Sequence, residues 1–75
     1  MGTLERLASE LADDTMKAMT ELDDWQMHQE VARVISASSQ SLEEAYLTEM
    51  RVRMTERTAR AYLEKLVAER RASAG

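Results

Sequence analysis

His28 is the only histidine of the chain, and no cysteine accompanies it. On a helical reading its one conspicuous polar neighbour is Asp24, four residues earlier and on the same side. Two ligands do not hold a structural metal, and a carboxylate di-metal bundle needs Glu-x-x-His twice, whereas Trp25 stands three before His28. A partly buried or interfacial histidine is the expectation. The acidic pairs Asp13-Asp14, Asp23-Asp24 and Glu43-Glu44 could serve acid-base chemistry only if they converged on one atom. Adjacent residues on a helix point about 100° apart, so helix caps and solvated faces explain them better. The serines between residues 36 and 41 have no histidine other than His28 to activate them. The two glycines, Gly2 and Gly75, form no phosphate-cradling loop. The chain is therefore expected not to be an enzyme and to carry no catalytic residue, cofactor or metal.

Basic chemistry gathers in the second half. Residues 1 to 41 carry three basic and eight acidic side chains, residues 42 to 75 seven basic and six acidic. Arg51, Arg53, Arg57 and Arg60 could neutralise phosphates, but Glu49, Glu56 and Glu64 are interleaved with them and leave little net field. The stretch from Met54 to Leu66 resembles the recognition half of a helix-turn-helix: Thr55 stands where a cap belongs, and Ala59, Tyr62, Leu63 and Leu66 recur at the expected apolar positions. The resemblance implies a DNA-binding regulator using residues 42 to 67. It departs from the motif at Glu49, where a small residue belongs, and at Arg53, where the turn favours glycine.

Three amphipathic stripes must position these residues. The first runs through Leu4, Leu7, Ala8, Leu11, Ala12, Ala18, Met19 and Leu22 and predicts a helix over 4–22, with Thr3 as N-cap. Asp23 and Gln26 have the spacing of a capping box and predict a second helix over 24–38. Its apolar arc covers about half the circumference, as expected of a central helix. Ser41 and Glu44 form another such box, opening a third helix over 42–71, with the tail from residue 72 to 75 frayed. Along that third segment the apolar stripe changes sides. Tyr46, Leu47, Met50 and Met54 line one face; Val52, Ala59, Tyr62, Leu63, Leu66 and Val67 line nearly the opposite one. Either the helix breaks near residues 53 to 55, or it continues and shows its two faces to different neighbours. The acid-first pairs Glu49/Arg53 and Glu56/Arg60 span the suspected break and favour continuity.

The fold class expected is all-α: one domain over residues 1 to 75, a three-helix antiparallel bundle or a hairpin with a long C-terminal helix. No apolar run exceeds three residues and 32% of the chain is charged, so no membrane segment is expected and a soluble, cytoplasmic protein is. Five internal methionines without a phenylalanine make an adaptable apolar surface, and a core this small supplies only ~3 to 5 kcal/mol by itself. Association with another protein, or with itself as a homo-oligomer, is the expected remedy. The expected function is therefore that of a small protein-binding module, acting as adaptor, chaperone or inhibitor through a helix face. Its contact residues are Tyr46, Leu47, Met50 and Met54, framed by Arg51, Arg53 and Arg57, while Leu63 and Leu66 fill the core. Nucleic acid is the second partner class. A third reading makes the acidic first half a nucleic-acid mimic that inhibits a nuclease or DNA-binding protein.

Overall fold

Each helix starts and stops for a local reason, and several of those reasons differ from the expectation. The computed structural model describes residues 2 to 74, with α1 over Thr3–Leu22, α2 over Met27–Ser36 and α3 over Gln40–Ala74. Helix takes up 89% of the described residues, and none of them is in a strand. Gly2, in extended conformation, is the N-cap of α1, so Thr3 is already helical and makes no cap hydrogen bond.

Asp23 ends α1 rather than opening α2. Its backbone is left-handed, with φ 53° and ψ 45°, and the Asp24 N–H donates to the Met19 carbonyl at 3.1 Å, the six-residue closure of a Schellman-type stop. A non-glycine residue is strained there, but a short carboxylate tolerates the conformation when it bonds locally. Asp23 Oδ1 accepts the Trp25 indole N–H at 2.9 Å, and Asp24 Oδ1 accepts the Gln26 N–H at 3.1 Å. The second helix consequently starts three residues later than the capping-box spacing implied, and it is only ten residues long.

Ser39, not Ser41, caps α3. Its hydroxyl accepts the Leu42 N–H at 3.1 Å, and its carbonyl accepts the Glu43 N–H, the first bond of the helix. Ser39→Ala should therefore lower stability by about 1 kcal/mol, while Ser41→Ala, inside the first turn, should change it by no more than a few tenths. Paired urea titrations measure the difference. From Gln40 the helix continues through residues 53 to 55 without a break and on to Ala74, through the tail that was expected to fray. Neither glycine nor proline interrupts it.

As α1 advances along its axis, so does the stretch of α3 beside it. Leu4 and Glu5 share a groove with Ala45 and Thr48, whereas Met16 and Lys17 share one with Val52 and Glu56. The three helices thus run up, down and up, with α1 parallel to α3. Both shorter helices pack on α3 and touch each other much less, so α3 and not α2 is the central element. The buried core consists of Ala8, Ala12, Met19, Ala32, Tyr46 and Met50. Small residues on α1 let its backbone approach α3, and the ring of Tyr46 fills the space between.

The shape follows from unequal lengths. At about 1.5 Å per residue, α1 reaches about 30 Å and α3 about 52 Å. The molecule measures 56 × 28 × 14 Å, and its radius of gyration is 16.0 Å. A compact chain of this length would have a radius near 11 Å. The last seventeen or so residues of α3 extend beyond the other two helices.

Candidate protein-binding surface

Arg53 shows first which face of α3 belongs to the fold. Its Nε donates to Asp13 Oδ1 at 2.8 Å and its Nη1 to Glu49 Oε1 at 2.7 Å and to the Glu49 carbonyl at 2.9 Å. Its Nη2 donates to Ser9 Oγ at 2.8 Å and to the Ser9 carbonyl at 3.3 Å. A planar guanidinium with five donors can satisfy such a fork, and the two points on α1, one turn apart, pin its register against α3. The hydrogen bond that Arg53 donates to Glu49 chiefly, opposed by burial and aided by Asp13, raises the Arg53 pKa further above its ordinary range. This arginine, expected at the rim of a contact surface, is an internal tie.

Tyr46 makes the second link. Its hydroxyl donates to Thr15 Oγ1 at 2.9 Å, and Thr15 in turn donates to the Leu11 carbonyl at 2.8 Å. The chain of donors leaves no buried hydroxyl unpaired. Burial pushes the Tyr46 pKa above the ordinary tyrosine value near 10, against a smaller lowering from Thr15. The folded state therefore holds this proton more tightly than the unfolded state, so the stabilisation is complete below about pH 10 and is lost as pH rises through the folded pKa. Urea midpoints measured from pH 8 to 11 should fall more steeply for the natural chain than for Tyr46→Phe, which has no phenol to ionise there.

These placements correct the expected contact surface. Tyr46 and Met50 are wholly enclosed by the chain's own helices, and Leu47 and Met54 are half-buried against the same core. Arg57 lies over the Trp25 ring, 4.2 Å from its centroid, a cation-π contact that clasps the α1–α2 turn to α3. Arg60 pairs with Glu56. Of the four arginines expected to be able to meet phosphates, Arg53 and Arg60 are held in ion pairs and Arg57 lies on Trp25, while Arg51 makes neither contact among the described residues. The stretch resembling a helix-turn-helix lies in mid-helix, with no turn to seat a recognition helix.

Four of the eight acids on the first half are similarly engaged. Glu10 pairs with Arg6 at 3.3 Å, Asp13 with Arg53, and Asp23 and Asp24 hold the α1–α2 turn. His28 is half-buried on α2, and its Nδ1 is enclosed without a hydrogen-bond partner. No three His, Cys, Asp or Glu side chains gather into a metal-sized group among the described residues. No described helix is long and apolar enough to cross a membrane.

Besides scattered exposed residues such as Leu22 and Val34, an uncovered apolar surface lies on the opposite face of α3, and it includes Leu63 and Leu66, which were expected in the core. Tyr62 is 60% exposed and Leu63 55% exposed, and Leu66 and Val67 beside them are shielded mainly by neighbours on the same helix. Past Arg57, no hydrogen bond or ion pair joins α3 to α1 or α2 among the described residues. A cue to this surface was present in the sequence, since a helix of some 30 residues must outrun partners of 19 and 15. No protein-family model, curated protein or solved structure matches this chain.

Proposed function

We propose that the chain is a protein-binding module that docks a protein, a different one or a second copy of itself, along the projecting half of α3. The single observation that carries this reading is the exposed apolar stripe of that projection, on a chain with more surface than a compact fold would leave. A monomer of 8.5 kDa folded compactly exposes about 4,700 Å². This chain exposes 5656 Å². The excess, about 1,000 Å², is of the size that one partner contributes to a stable interface, about 800 Å². The excess belongs to the whole elongated chain, and the projecting half of α3 contributes to it an apolar stripe, Ala59, Tyr62, Leu63, Leu66 and Val67, on a helix held straight by its own i,i+4 pairs. A rigid stripe of this kind enters a groove or pairs with another helix at low entropic cost. Docking there would let a small adaptor or inhibitor occlude or scaffold its target while the three-helix end supplies the stability.

A photoreactive amino acid placed at position 63 tests the reading in the cells that make the protein. Adducts with protein are expected from position 63 and not from position 34, where Val34 is 76% exposed on α2. Adducts with nucleic acid, or none, would overturn it in favour of the regulator or of a chain without a docking role. A gel shift whose midpoint falls with added salt would support the nucleic-acid reading independently.

A further inference from the structure

We infer that the occupant of the projecting stripe is a second copy of this chain, paired antiparallel; this rests on the protein-binding reading above. Ala59, Leu63, Leu66 and Arg70 are spaced by four, three and four residues, with Tyr62 and Val67 on either flank, which is the seam of a two-helix pair. Leu63 lies about 140° around α3 from Met50 at 100° per residue, so the stripe faces away from α1 and α2. Covering it within one chain would require a bend in α3, and the helix has no glycine or proline to permit one. The cover must come from outside.

Charge selects the partner and its direction. Glu56 stands at one end of the stripe and Arg70 with Arg71 at the other, with Leu63 midway. A parallel pair in register would bring Glu56 against Glu56 and Arg70 against Arg70. An antiparallel pair with its two-fold axis between Leu63 and Leu66 lays each Leu63 on the second copy's Leu66 and each Ala59 under the stem of the second copy's Arg70. The same axis brings Glu56 within a turn of the second copy's Arg70 and Arg71, twice over. Large faces small, and acid faces base, with no residue changed. The chain as a whole exposes about 1,000 Å² more than a compact fold of its mass, enough to supply the roughly 800 Å² that each half of a dimer contributes. The three-helix ends point away from each other and do not collide.

The absence of cysteine allows single spin labels to be introduced in the full chain. Sedimentation at tens of micromolar should give twice 8.5 kDa. Labels on Lys65→Cys, near the axis, should lie close to each other across the dimer, and labels on Arg51→Cys should lie farther apart by about 40 Å along the helix. Two short distances would mean a parallel pair and overturn the arrangement. Glu56→Arg should weaken the dimer about tenfold or more without loss of helix, and combining it with Arg70→Glu should restore it. A swap that fails to restore a helical double variant overturns the charge assignment. A monomer at these concentrations overturns the dimer. If position 63 still labels a different protein, the protein-binding reading stands without it.

Discussion

Replacing Tyr46 by alanine should unfold most of the chain at 25 °C. The ring is wholly buried at the junction of α1 and α3, and its hydroxyl donates to Thr15. Removing a buried aromatic side chain costs about 3 to 5 kcal/mol, because the surroundings relax only partly around the cavity. A core of this size supplies about the same amount in total. Helix content by circular dichroism should drop sharply, with what remains due to isolated α3, whose length permits some residual helix. Tyr46→Phe keeps the ring and gives up one hydrogen bond, a loss of about 1 kcal/mol, and should remain folded. A folded Tyr46→Ala chain would mean that α1 is held by Arg53 and its partners more than by packing.

Met50→Ala and Leu63→Ala should act on different quantities, the first on folding and the second on association. Met50 is fully enclosed, and truncating it should destabilise the fold by about 2 to 5 kcal/mol. Leu63 is more than half exposed, so Leu63→Ala, alone or with Leu66→Ala, should change the stability of the dilute monomer by no more than about 0.5 kcal/mol. Alanine is also the slightly better helix former. The measurement is made at sub-micromolar concentration, where association does not contribute to the midpoint. At high concentration the leucine variants should lose whatever stabilisation depends on concentration. If the Leu63 and Leu66 variants unfold in dilute solution, the stripe is packed within its own chain.

This pair of outcomes reverses the roles that the sequence suggests for the same residues, and the reversal has a physical origin. Both faces of α3 repeat with helical period, both contain large apolar residues, and both are flanked by arginines. Periodicity identifies a face but carries no sign saying which face is inside. Local rules had the same ambiguity at Asp23. Its spacing to Gln26 fits a capping box, but the left-handed backbone at Asp23 and the indole bond from Trp25 make the residue a stop for α1. Ser39 and Ser41 are both credible caps two residues apart, and the hydroxyl that accepts Leu42 N–H is the earlier one.

The amino-acid sequence by itself determined that the chain is all-α and where its three apolar stripes run, and it favoured, without deciding, a continuous third helix. Each of these depends on residues within about seven positions of one another. The stripes are local periodicity, and continuity rests on the absence of breakers and on pairs such as Glu49 with Arg53 and Glu56 with Arg60, both formed. Tertiary structure alone decided which face of α3 is covered, that α3 rather than α2 is central, and how far it projects. Those outcomes depend on contacts between residues 31 to 44 positions apart, Thr15 with Tyr46, Asp13 with Arg53 and Ser9 with Arg53. Such pairings set the register between helices, and no periodicity within one helix contains that register.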